Sequence, residues 1–156
     1  MNREIEKILA ELLEQVEAEG VFFCDRGGNI IAQRSVNKYE HTENIAALAA
    51  GSFFATLEMA RLVGEPKFRS LLHQGESSSI YMEGMKGDLL LVVIFSKDSN
   101  AGLVKLYAKN TCQQLQQYKV QLAPGERPSS QILPKLELVI DETAQPFTNS
   151  VKVEPT

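Results

Sequence analysis

Histidine and cysteine, on which most metal centres and many nucleophilic sites depend, are scarce here: two of each in 156 residues. Cys24 and Cys112 stand far apart, with no CxxC spacing and no histidine-rich neighbourhood. That excludes the usual zinc ligand sets and a disulfide framework, and leaves two reduced thiols in a cytoplasmic protein. No metal and no cofactor are expected. A Ser-His-Asp set can be written from His73, the run Ser77-Ser78-Ser79 and Asp88, but no nucleophile elbow surrounds those serines. His73 reads as an ordinary strand residue and His41 as a solvated loop residue.

Positive charge is also short. Lys and Arg number 16 against 20 Asp and Glu, for a net charge of −4 and a pI near 5.3. There is no basic run, so a nucleic-acid footprint is excluded. The most apolar long stretch, 45–63, contains Ser52, Glu58 and Arg61 and does not read as a membrane span. At the N-terminus, Glu4 and Glu6 sit in an amphipathic rhythm where a secretory leader needs a basic segment and an apolar run, so no signal peptide is expected. Proline is nearly missing from the first 120 residues. Five of the six follow: Pro124, Pro128, Pro134, Pro146 and Pro155. The chain therefore divides into a domain over 1–120 and a Pro-rich C-terminal tail over 121–156, read as an extended arm. Within the arm, Leu136-Glu137-Leu138-Val139-Ile140-Asp141 partly alternates, as an edge strand or a groove-docking segment would.

What is present is a strong series of periodic segments. Ile5, Ile8, Leu9, Leu12, Leu13 and Val16 form one stripe of a helix over 3–18, with Asn2 as cap and Gly20 as stop. Strands over 21–25 and 29–35 flank the tight turn Arg26-Gly27-Gly28. That glycine pair is a poor phosphate loop, because it lacks the following Lys and Ser/Thr and opens a strand. A second helix spans about 43–63, with Thr42 as cap and Gly64 then Pro66 as the stop. Strands over 68–74 and 77–82 follow, and the turn Gly84-Met85-Lys86-Gly87 leads to a third. A last helix covers about 100–118, capped by Ser99, with Leu103, Tyr107, Thr111 and Leu115 as its core stripe.

Two segments decide the architecture. Leu89-Leu90-Leu91-Val92-Val93-Ile94-Phe95 has no polar alternation, so helices must cover both faces of its sheet. The second helix is apolar almost all round. Ile45, Leu48, Ser52, Ala55, Met59 and Leu62 make one stripe, and Ala47, Ala50, Phe54, Leu57 and Arg61 another. One side meets the sheet, and the other needs a partner, most simply a copy of itself. Ala46, Ala47, Ala49, Ala50 and Gly51 permit close backbone approach. The predicted order is α-β-β-α-β-β-β-α, an α+β domain with a five-stranded antiparallel sheet between helices. The first and last helices share one face of the sheet.

This order, together with four motifs, resembles the roadblock fold, which is profilin-like. The motifs resemble the bacterial MglB group that regulates a small Ras-like GTPase in gliding and polarity. They are Phe22-Phe23-Cys24-Asp25-Arg26-Gly27-Gly28-Asn29-Ile30-Ile31-Ala32; Leu48-Ala49-Ala50-Gly51 with Ala60-Arg61-Leu62-Val63-Gly64-Glu65; Leu72-His73-Gln74-Gly75-Glu76; and Leu91-Val92-Val93-Ile94-Phe95 followed by Gly102-Leu103-Val104-Lys105-Leu106. The resemblance covers about residues 3–118. It implies a non-enzymatic homodimer whose middle helices pack together and whose sheets join edge to edge. Such a regulator speeds GTP hydrolysis by reshaping the GTPase's switch loops and donates no catalytic residue. The alternative is a scaffold of the same fold that binds a partner without GTPase activation. On this resemblance Ala47, Gly51, Phe54, Glu58 and Arg61 form the GTPase-binding or dimer face, and Ala50, Phe53 and Leu57 pack the dimer. If the arm is separate from the core, ending the chain at Tyr118 shifts the melting temperature by less than about 4 °C. Calorimetry of the two lengths checks this, and a larger fall makes the arm part of the folded unit.

Overall fold

The computed structural model describes residues 2–36 and 41–118; the predicted arm, with its 136–141 segment, lies outside the described residues. The element order is α1 (Asn2–Gln15), β1 (Gly20–Asp25), β2 (Ile30–Ser35), α2 (Thr42–Leu62), β3 (Ser70–Gln74), β4 (Ser78–Met85), β5 (Leu89–Ser96) and α3 (Ala101–Leu115). The five strands form one antiparallel sheet in the order β2-β1-β5-β4-β3. The predicted α-β-β-α-β-β-β-α domain is therefore observed. β5 lies at its centre because it is the strand with the most apolar surface to hide.

Successive β5 side chains enter different cores, which is why the strand has no alternation. Leu91, Val93 and Phe95 join Val21 and Phe23 of β1, the Ile5-Leu9-Leu12 stripe of α1, and Val104, Ala108 and Leu115 of α3. Leu90, Val92 and Ile94 join Phe22 and Cys24 of β1, Met82 of β4, and Ala49, Ala50, Phe53 and Phe54 of α2. So α1 and α3 cover one face of the sheet and α2 the other, as the apolar run demands. Each large side chain buried this way contributes about 1.5–3 kcal/mol.

Several boundaries differ from the sequence reading, each for a local reason. α1 stops at Gln15, before Gly20. Glu17 takes the left-handed conformation at φ 51°, its N–H donates to the Glu14 carbonyl, and the Ala18 N–H donates to the Leu13 carbonyl at 2.9 Å. This is a Schellman closure built on a non-glycine residue, and it frees Gly20 to begin β1. α2 closes the same way on Gly64, at φ 83°, with the Glu65 N–H donating to the Ala60 carbonyl. At its start, Thr42 is the first helical residue and His41 holds the cap position. α3 is capped by Asn100, one residue after Ser99; the Asn100 Oδ1 accepts from the Leu103 N–H at 3.1 Å. Its buried face is Val104, Ala108, Thr111, Cys112 and Leu115, while the predicted core residue Leu103 is 41 % exposed. β4 runs through Gly84 and Met85, which the sequence reading put in the turn. Gly84 belongs there because a Cβ would sit 2.5 Å from the Phe53 ring.

The β1–β2 hairpin is tied by Asp25, which is buried in the sheet end. Its Oδ1 accepts from the N–H groups of Gly27 and Asn29, each at 2.9 Å, and the Asn29 side-chain amide donates to both carboxylate oxygens. Gly28, at φ 83°, brings this turn against α2: a Cβ there would stand 2.4 Å from the Ala47 Cα. Gly28→Ala adds left-handed strain and a backbone clash, and is expected to cost about 3 kcal/mol in urea unfolding.

Candidate surface on the middle helix

α2 has 21 residues and is long and apolar enough to cross a bilayer by length and composition. Here it is a core helix, with one side laid on β1, β4 and β5. Glu43 in its first turn and Arg61 in its last complement the helix dipole. The buried side comprises Ala46, Ala49, Ala50, Gly51, Phe53, Phe54, Thr56 and Ala60. Phe53 and Phe54 meet edge to face with centroids 5.4 Å apart. The Thr56 hydroxyl, buried among them, donates to the Phe53 carbonyl at 2.6 Å.

The opposite side is apolar and uncovered. Leu48 is 74 % exposed, Met59 53 %, Leu62 72 % and Val63 69 %. Ser52 and Ala55 lie between them, half-buried. Of the two stripes in the sequence, the one from Ile45 to Leu62 is mostly turned outward, although Ile45 itself packs against the sheet side, while Ala49 and Phe53, which belong to neither stripe, lie in the core against the sheet. The expected face of Ala47, Gly51, Phe54, Glu58 and Arg61 is thereby divided. Phe54 and Gly51 are buried within the single chain, Ala47 is half-buried against the Gly28 turn, and Glu58 and Arg61 are exposed. Ala50 and Phe53, expected at a dimer seam, are packed on the sheet, with Leu57 partly buried beside them. The physical reason is volume: two adjacent phenylalanine rings bury more area than Leu48 and Met59 can, so the sheet takes the rings. The Phe53-Phe54 pair was the sequence signal for this choice.

Electrostatics along the helix are local. Arg61 donates through Nε to Glu58 Oε1 at 3.0 Å and through Nη2 to the same oxygen. That hydrogen bond lowers the Glu58 carboxyl below its ordinary value and raises the Arg61 guanidinium. At the sheet end the Arg26 guanidinium lies over the Phe54 ring, 5.0 Å from its centroid, and its Nη1 stands 3.6 Å from Asp88 Oδ2. From the sequence alone Arg26 is a turn residue; both contacts come from the fold. His73 and Asp88 do not meet: His73 pairs with Ile80 near the start of β4, and Asp88 follows the far end of that strand, about 20 Å away at 3.3 Å per residue. His, Cys, Asp and Glu form no metal-ligating group among the described residues.

Residues 4–95 match the Roadblock/LC7 domain. The chain belongs to the Roadblock/LC7 family. Among solved structures, this roadblock chain is similar to Myxococcus xanthus MglB, at 31 % identity over 73 % of this chain and 93 % of that one, with a TM-score of 0.69. It is similar also to the gliding protein MglB of Thermus thermophilus, at 29 % identity over 74 % of this chain and 88 % of that one, TM-score 0.70. An MglB described in a tetrameric arrangement matches at 28 % identity over 74 % and 88 % of the two chains, TM-score 0.71. The expected MglB-like roadblock protein is thus borne out in family and fold.

The two thiols of this roadblock domain are core groups. Burial, reinforced by the Asp25 carboxylate, pushes Cys24 up to about 12, and burial with nearby Glu83 raises Cys112. Burial also raises the Tyr81 phenol, whose hydroxyl donates to the Glu83 carboxylate. A thiol whose folded pKa exceeds its unfolded value contributes stability that is complete below the unfolded pKa and is lost as pH climbs towards the folded one. Stability is therefore expected to hold up to about pH 9 and then fall towards pH 12, with Cys24 accounting for about 1.4 kcal/mol per pH unit. Urea unfolding from pH 8 to 11 measures this, and Cys24→Ala flattens the slope relative to its own value at pH 8.

Proposed function

We propose that this chain is a homodimeric, non-enzymatic regulator that acts in the cytoplasm, binds a small Ras-like GTPase and stimulates GTP hydrolysis by reshaping the GTPase's switch regions. The observation that carries the reading is the uncovered apolar stripe of α2, in a chain whose family and solved relatives include MglB. Leu48, Met59 and Leu62 lie on one side of a helix whose other side is filled by the sheet. Each gains about 1.5–3 kcal/mol if covered, so the stripe favours association. A second copy supplies a matching stripe by two-fold symmetry. The outer edge of β3 pairs with no described strand and carries Leu72 at 39 % exposure, which suits joining of two sheets. The tetrameric arrangement of one MglB relative supports self-association.

The paired helices then form a platform for the GTPase, with the exposed Glu58–Arg61 pair within it. The stripe itself is apolar, and on this reading activation comes from tighter binding to the hydrolysis-competent arrangement of the switch loops. A scaffold would hold the GTP- and GDP-loaded GTPase equally and would shift nothing.

Single-turnover hydrolysis with a Ras-like GTPase from the same organism tests the proposal, and an acceleration of about tenfold or more is expected, a barrier lowered by some 1.4 kcal/mol. Unchanged hydrolysis with equal affinity for both nucleotide states refutes activation and leaves the scaffold. Two substitutions separate surface from core. Leu48→Arg is expected to change folding stability by less than about 0.5 kcal/mol while abolishing the dimer seen by light scattering. Phe54→Arg, which forces a cation into the core, is expected to cost about 3–5 kcal/mol.

A further inference from the structure

Arg26 is held in place yet left unsatisfied. Its guanidinium carbon lies over the Phe54 ring, 5.0 Å from the centroid. Asp88 Oδ2, at 3.6 Å from Nη1, lies beyond hydrogen-bond distance. Nε is buried with no hydrogen-bond partner, while the side chain as a whole is 39 % exposed. A guanidinium offers five donors in a rigid fork matched to a carboxylate. The contact with the Phe54 face and the burial of Nε restrict the side chain, so less rotamer freedom remains to be lost on binding.

Its position is as specific as its chemistry. The turn that carries Arg26 abuts α2 at Ala47 through Gly28, and its guanidinium covers Phe54 two turns along. Arg26 thus borders the flank of α2 next to the apolar stripe. On that flank Glu58 is already engaged by Arg61. Asp88, at φ 58° in the β4–β5 turn and 56 % exposed, is a resident carboxylate that a better one can displace.

We infer that Arg26 is a carboxylate anchor of the partner surface, exchanging its loose contact with Asp88 for a bidentate contact with an Asp or Glu side chain of the GTPase. This rests on the reading that the α2 surface meets a GTPase. Asp88 then acts as an intramolecular competitor that lowers affinity for any partner without an acid at that point, which confers specificity.

The test is the affinity of the full chain for a Ras-like GTPase from the same organism, loaded with a fluorescent non-hydrolysable GTP analogue and followed by anisotropy. Arg26→Met is expected to weaken binding about tenfold or more, and Arg26→Lys to restore little of it. Asp88→Asn removes the competitor, and asparagine tolerates positive φ as aspartate does. This variant is expected to keep its melting temperature and bind a few-fold more tightly, a change that a purely structural Arg26–Asp88 pair would not produce. If the unmodified chain binds and neither Arg26→Met nor Asp88→Asn alters affinity, this inference fails alone. If the unmodified chain binds no GTPase, the parent reading fails and takes this one with it. Two other results overturn it: unchanged affinity with altered hydrolysis at saturation, which puts Arg26 on the nucleotide, and altered dimer mass with unchanged GTPase affinity, which puts it between copies.

Discussion

The demand that both sides of β5 be kept from water organises the rest of the molecule. Six consecutive β5 residues, Leu90 to Phe95, are buried. They cannot be covered by one layer, because successive side chains leave a strand on opposite faces. The chain meets that demand with three helices: α1 and α3 above β1, β5 and β4, and α2 below them. On its face α2 lies alone, and among the described residues no further layer packs outside it, so only the side laid on the sheet is covered. The stripe of Leu48, Met59 and Leu62 is the side of α2 that this arrangement leaves exposed.

Fold was legible in the sequence because its strongest signals are periodic and long. The α1 stripe, the β5 run and the glycine-marked turns each point to one element, and the element order follows. What was not legible is azimuth. Two stripes on α2 satisfy the same helical spacing, yet Ala49 and Phe53, which meet the sheet, belong to neither. Which side meets the sheet depends on Gly84, some thirty residues further on, which leaves the space that the Phe53 ring occupies. α3 shows the same gap: Val104 and Leu103 are adjacent, yet one is buried and the other 41 % exposed. A rotation of one residue about a helix axis is invisible until the partner surface is known.

Helix ends depart from the sequence expectation for a different reason. Gly20 was a sound stop signal for α1, but Glu17 accepts the left-handed conformation first, because its hydrogen bonds and those of Ala18 close the last turn. The strain of a non-glycine residue there, roughly 1–2 kcal/mol, is offset by two satisfied carbonyls and by leaving Gly20 free to start β1. The sequence does not mark Arg26 as a site residue because its neighbours in space, Phe54 on α2 and Asp88 in the β4–β5 turn, are far from it along the chain.

The contact between Gly28 and Ala47 has a mechanical consequence. Asp25 knots the β1–β2 turn from within, through four hydrogen bonds, so the turn behaves as a stiff boss on the end of the sheet. α2 abuts that boss with no spare room. A helix stopped in this way can tilt about the contact but cannot slide past it. The outer stripe is thereby held at a set distance from the hairpin, which serves the first turns of the helix as an end stop.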